Sequence, residues 1–227
     1  MRGELMGKTV RFYYVRHGQT LFNVQDQMQG WSDSPLTEKG IADALEAKKT
    51  LKDIPFDRAY CSSSERCVDT AEIILEGRNV PLKRLKGLKE MNFGTYEGIV
   101  IPEHQEEIDA IRFHTFDWTP YGGEDLKMLE DRITKAYEEI YEEAKDGDSI
   151  LIVSHGANFL HSLGFLFHLD KDLYMEEAFK GDQELLPIPN GFAAVFEREG
   201  KEYRLLQLVK RDPSFLEKLT GRIKEQT

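Results

Sequence analysis

A three-layer α/β fold, with a mostly parallel sheet between two layers of helices, is the architecture this sequence predicts. Three observations predict it. Strand-like apolar runs alternate with amphipathic helical stretches along most of the 227 residues, the rhythm of successive βαβ units. Two of those runs, at 9–15 and 149–154, are rich in β-branched and aromatic residues and read as buried strands. Near the C-terminus, 192–196 and 203–209 face each other across Glu199-Gly200 and read as a hairpin, so at least one strand is antiparallel.

The first strand covers about 8–15. A helix follows over 38–51, with Thr37 as its N-cap and Gly40 as an interior glycine that weakens it. Residues 56–61 read as a strand and 63–76 as a helix stopped by Gly77. A strand at 82–88 comes next, then helices at 102–113 and 124–144, the second ended by Asp146-Gly147. After the strand at 149–154 come a helix over 157–168, the hairpin, and a terminal helix at 214–225. The stretch 92–123 breaks this rhythm and is aromatic. It reads as an insertion that covers the site, within one domain spanning 1–227.

Composition narrows the partners. A net charge of −11 argues against nucleic acid, which wants a basic stripe. No apolar run is long enough to cross a membrane, and residues 1–8 lack the apolar core of a secretory signal. The two cysteines, Cys61 and Cys67, have neither redox nor zinc spacing and read as free thiols of a cytoplasmic protein. Oligomeric state is not legible.

Chemistry concentrates where strands end. The first buried strand runs into Arg16-His17-Gly18 and the later one into His155-Gly156. In an open α/β sheet ligands bind at the C-terminal strand edge, so both histidines point to one site. Arg66 opens the helix after the strand at 56–61 and belongs to the same edge. Arginine forks and imidazoles suit a phosphoryl group. His17 is the candidate nucleophile, Arg16, Arg66 and His155 hold phosphoryl oxygens, Asn23 and Gln29 donate amide N–H groups, and Glu90 is the candidate acid. Each has a plainer alternative: Arg66 pairing with Glu65 or Asp69 on its own helix, Glu90 and Glu97 as surface carboxylates, His161 and His168 as structural residues, His104 and His114 as exposed ones. A metal is disfavoured, because two arginines would repel it and no ligand cluster appears. No cofactor is expected.

Arg16-His17-Gly18-Gln19-Thr20 with Asn23 resembles the signature of the histidine phosphatase superfamily, the phosphoglycerate mutase-like fold. The resemblance continues through the stretch from Gly30-Trp31-Ser32-Asp33 to Gly40. It continues again in Cys61-Ser62 with Arg66 and Thr70-Ala71, in Leu88-Lys89-Glu90 with Phe93-Gly94 and Glu97-Gly98, and in Val153-Ser154-His155-Gly156. It implies a metal-free phosphohistidine mechanism: His17 attacks phosphorus, Glu90 protonates the leaving group, and water hydrolyses the phosphohistidine with Glu90 as base. Cys61, where the family usually has Ser, and Gln19, where many members have Glu, are departures that remove no catalytic group.

The insertion separates phosphatase from mutase. A phosphoglycerate mutase must also hold a carboxylate and a second phosphate, which calls for extra cations. Between Asn92 and Glu130 the only Lys or Arg residues are Arg112 and Lys127. The aromatics Phe113, Phe116, Trp118 and Tyr121 suit an organic leaving group, with Phe116, Trp118 and Tyr121 as candidate substrate contacts; packing of the insertion accounts for at least half of these aromatics. The sequence therefore reads as a phosphatase of small phosphomonoesters. Mutase or fructose-2,6-bisphosphatase-like activity is the alternative, and a non-catalytic phospho-ligand-binding module is a third reading.

Overall fold

The computed structural model describes residues 7–169, 188 and 190–209. Its strands are β1 (Thr9–Arg16), β2 (Arg58–Ser62), β3 (Leu82–Leu85), β4 (Ser149–Ser154), β5 (Gly191–Glu199) and β6 (Glu202–Leu208). They form one sheet in the order β3-β2-β4-β1-β5-β6. β1 pairs in parallel with β4, and β2 with both β3 and β4. β5 runs antiparallel to both β1 and β6. The sheet is therefore mixed, with the parallel part where the helical crossovers lie and the antiparallel part where the hairpin closes it.

The three layers follow from the two-residue period of the strands. Val10, Phe12 and Tyr14 of β1, with Ile150 and Ile152 of β4, lie in one apolar cluster. Tyr13 and Val15, with Leu151 and Val153, lie in the other. Both faces are buried, so these strands read as continuous apolar runs. The helices are α1 (Leu21–Val24), α2 (Glu38–Thr50), α3 (Glu65–Leu75), α4 (Gln105–Ala110), α5 (Leu126–Glu143) and α6 (Gly156–Phe165). α5 contributes Leu129, Ile133, Tyr137 and Ile140 to the first cluster, and α6 adds Phe159 and Leu163. α2 and α3 cover the other face with Ala47, Val68, Ala71 and Ile74.

The differences from the sequence reading are local. The expected helix at 102–113 is broken in three: a 3-10 turn at Ile101–His104, α4, and a wider turn at Ile111–Thr115 that ends at Phe116 in the left-handed region (φ 48°). β3 stops at Leu85, because Lys86–Leu88 turns away as a 3-10 segment. α6 stops at Phe165, and His168 is left-handed (φ 52°) rather than helical. The expected terminal helix at 214–225 lies outside the described residues. The excursion after β3 closes on itself, because Glu124 N–H donates to Asn92 O (2.9 Å) and Asn92 N–H to Glu124 Oε2 (3.0 Å).

Gly40 has a reason to interrupt α2. A Cβ there would lie 2.0 Å from Gln19 O, and one on Gly18 would lie 2.1 Å from Gly40 O. The loop after β1 and the first turn of α2 touch backbone to backbone, which fixes the chain just beyond His17.

Candidate active site

Register brings the two histidines together. Arg16 of β1 pairs with Ser154 of β4, so the next residues, His17 and His155, leave the sheet side by side. His17 N–H still donates to Ser154 O (3.0 Å), and the rings lie 5.3 Å apart between centroids. Tyr14 locks the pair from below: its hydroxyl donates to His155 O (2.8 Å) and accepts from His155 N–H (3.1 Å). Both histidines are buried. The His17 ring places Nδ1 2.8 Å from Gly18 O. A carbonyl can only accept, so Nδ1 carries the proton and Nε2 keeps its lone pair. Burial, then Arg66 and Arg16, hold His17 well below the usual histidine range. Burial, then Arg66, does the same to His155. Both rings are thus neutral at neutral pH.

Arg66 is 1% exposed and stands at the first turn of α3. A buried guanidinium must be paired, and the partners come from the 30–33 loop rather than from Glu65 or Asp69. Nη1 donates to Ser32 O and Asp33 Oδ1 (both 2.8 Å), and Nη2 to Gly30 O (2.8 Å). Asp33 also accepts from the Glu65 backbone N–H (2.6 Å), so one carboxylate caps α3 and orients its arginine. Nη2 lies 3.1 Å from His155 Nδ1, and His155 Nε2 lies 2.7 Å from Ser62 Oγ. Both nitrogens of His155 are therefore engaged, one by Arg66 and one by Ser62. Arg16 donates through Nη1 to Ile188 O (2.5 Å). The Nε–H groups of Arg16 and Arg66 are buried with no protein partner.

Glu90 sits at the N-terminus of α6. Its carboxylate accepts from Ala157 N–H (3.0 Å), Asn158 N–H (2.7 Å) and Met91 N–H (3.0 Å), a position the helix dipole favours for an anion. Its field reaches Arg16. One cluster thus gathers Arg16 and His17 from the end of β1, His155 from the end of β4, Arg66 from the first turn of α3 and Glu90 from the turn after the 3-10 segment.

The remaining expected residues divide. Asn23 closes a capping box: its Oδ1 accepts from Thr20 N–H (3.0 Å), leaving its NH2 free of that bond. Gln29 ties the loop to itself, donating to Ser34 Oγ and accepting from Thr20 Oγ1, both at 3.0 Å. Trp118 is fully buried against Phe93 and Tyr96; the expectation of a substrate contact there is corrected, because no face of the ring is open. Phe116 lies against His161 on α6 (4.3 Å) and Tyr121 is partly exposed on Tyr96. The sequence reading missed Asp33, Ser62, Arg132 and the role of Glu97, which holds Trp31 N–H (2.8 Å) and Ser32 N–H (2.6 Å). The need of a buried Arg66 for a carboxylate was the signal that could have found Asp33.

A family profile described as the histidine phosphatase superfamily (branch 1) matches residues 12–176. The chain is 36% identical over 153 residues to an adenosylcobalamin/alpha-ribazole phosphatase of Salmonella typhimurium, covering 64% of this chain and 74% of that protein. It is 36% identical over 164 residues to a 2,3-bisphosphoglycerate-dependent phosphoglycerate mutase of Cytophaga hutchinsonii, covering 69% and 76%. Among solved structures, a phosphoglycerate mutase from Bacillus anthracis superposes with a TM-score of 0.75 at 26% identity, over 94% of this chain and 98% of that one.

Proposed function

The chain belongs to the histidine phosphatase superfamily, and on that premise we propose that it is a metal-independent phosphomonoesterase acting through a phosphohistidine on His17. Its phosphoglycerate mutase-like type is shared by phosphatases and mutases alike, so the choice rests on this chain's own residues. The observation that carries the phosphoryl reading is the pair of buried guanidinium Nε–H groups on Arg16 and Arg66, beside two neutral histidines. Unpaired buried donors call for an acceptor, and phosphoryl oxygens are acceptors that match the arginine fork.

In this reading the His17 Nε2 lone pair attacks phosphorus and the P–O ester bond breaks. The leaving oxygen takes a proton from Glu90, which enters this step as the protonated carboxyl and leaves it as the carboxylate held by the α6 amides. The Nδ1–H donated to Gly18 O steadies the phosphorylated ring, and Arg16 and Arg66 balance charge on the equatorial oxygens. His155 accepts from Arg66 at Nδ1, with Ser62 behind its Nε2, and so keeps Arg66 aimed; Asn23 assists, and Gln29 acts by fixing the loop. Water then attacks phosphorus, giving a proton to Glu90, the P–Nε2 bond breaks with its electron pair returning to His17, and inorganic phosphate leaves. The arginines supply the positive charge that a metal would otherwise bring.

The phosphatase choice rests on the excursion. Lys127 is ion-paired to Asp131 on the surface of α5, which leaves Arg112 as the basic residue there to serve a second anion. A small organic phosphomonoester is therefore the substrate class, with Phe116 and Tyr121 as candidate contacts. With two buried, unpaired thiols, a cytoplasmic setting is part of the same proposal; among the described residues no helix is long and apolar enough to cross a membrane. The deciding assay compares hydrolysis of phosphomonoesters with interconversion of 2- and 3-phosphoglycerate, with and without 2,3-bisphosphoglycerate, in the presence of EDTA. Hydrolysis should dominate and survive chelation. Mutase turnover well above hydrolysis would overturn the choice, and loss on chelation restored by a divalent ion would overturn the metal-free mechanism.

A further inference from the structure

The turn that carries Glu90 is held from behind by a single side chain of α5. Arg132 Nη1 donates to Gly87 O (3.0 Å) and Lys89 O (2.7 Å), and Nη2 to Glu90 O (2.6 Å). Its other two N–H groups grip Glu124: Nε to Oε1 (2.7 Å) and Nη2 to Oε2 (2.8 Å). A guanidinium has five N–H donors in one plane, and here all five have acceptors. Three of those are carbonyls of the four-residue stretch ending at the candidate acid.

Glu124 extends the clamp. It is buried, and its Oε2 also accepts from Asn92 N–H (3.0 Å), two residues past Glu90. Residues 87 to 92 are thus pinned on both sides of Glu90. Trp31 closes the other flank, its indole N–H donating to Glu90 O (2.8 Å). The Glu90 carboxyl itself is fixed by the first amides of α6, and Asn158 Nδ2 donates to Lys89 O (3.1 Å). The acid is therefore strung between α5 and α6, and the α5 end depends on Arg132.

We propose that Arg132, oriented by Glu124, is a positioning residue for proton transfer: it sets the reach of the Glu90 carboxyl to the leaving oxygen without touching substrate. This rests on the reading of Glu90 as the acid. The planar fork does the work, because a lysine brings the same charge but three donors on one point and cannot bridge three carbonyls and a carboxylate. A displacement of the acid by about 1 Å can cost on the order of 10²-fold in the step it serves. That step matters most for leaving groups that need a proton.

The experiment measures kcat on β-glycerophosphate, a poor leaving group, and on p-nitrophenyl phosphate, an activated one, for the intact protein and the Glu90→Gln, Arg132→Lys, Arg132→Ala and Glu124→Gln variants. Arg132→Lys and Glu124→Gln should lose roughly 10–100-fold on β-glycerophosphate and several times less on p-nitrophenyl phosphate. Added guanidinium should restore Arg132→Ala on the first substrate in particular. Glu124→Gln, which keeps its volume and one acceptor oxygen, carries the same test if an Arg132 variant does not fold. Equal losses on both substrates, while Glu90→Gln stays selective, would overturn the positioning role alone. Equal losses for Glu90→Gln itself would overturn the acid assignment and this inference with it.

Discussion

His17 is defined by what surrounds a single ring. Gly18 O fixes its tautomer, Asn190 Nδ2 holds its own carbonyl (2.6 Å), and burial, then two arginines, keep it neutral. Burial pushes the Cys61 thiol up to about 12 and Cys67 well up, away from the reactive thiolate. His17→Ala should therefore abolish turnover, and acid-labile phosphate label should be found on His17 after quenching. Label on Cys61 or Ser62 would contradict the mechanism. The sequence exposed this residue plainly, because Arg-His-Gly after a buried strand is a local pattern. Asp33 was hidden inside a motif, since its pairing with Arg66 joins residues far apart in the chain.

At the scale of elements, the expected strands and helices that fall among the described residues form where the periodicity placed them, and their ends move by a few residues at most, except in the 101–116 excursion. Gly40 shows why an element cannot be judged alone. In an isolated helix, Gly→Ala at an interior site gains about 0.5–1 kcal/mol. Here the added methyl meets the Gln19 carbonyl, and overpacking typically costs about 1–3 kcal/mol. Gly40→Ala should lower the Tm by roughly 2–12 °C, at about 2–4 °C per kcal/mol for a chain of this size. It should also lower kcat, because the displaced backbone is two residues from His17. A rise in Tm would mean that the close approach carries no constraint.

For the whole molecule, two neutral histidines in one pocket tie folding to pH. In the unfolded chain histidine titrates near 6.5; in the fold both lie well below. Below pH 6.5 the unfolded state binds more protons than the native one, so stability falls as pH falls and their contribution is fully present above that point. Between pH 7.5 and 5.5 the pair should therefore lower the unfolding free energy, each histidine acting in the same direction. Denaturant titrations at the two values check this, and His155→Asn should remove about half of the loss. An unchanged pH slope in that variant would show that His155 is not held neutral.

The sheet, the helix layers and the placing of Arg16, His17, Arg66 and His155 at strand and helix ends were legible in the chain, because strand alternation, helix caps and motif spacing act over a few residues. Tertiary packing settled the rest. The parallel register of Arg16 with Ser154 sets the two histidines beside each other. The fork of Arg132 reaches over forty residues back to the Glu90 turn, and Trp118 disappears into the core although its neighbours in sequence are polar or exposed. Such contacts join distant segments whose local periodicity carries no record of the partner, so they arise only when the layers close.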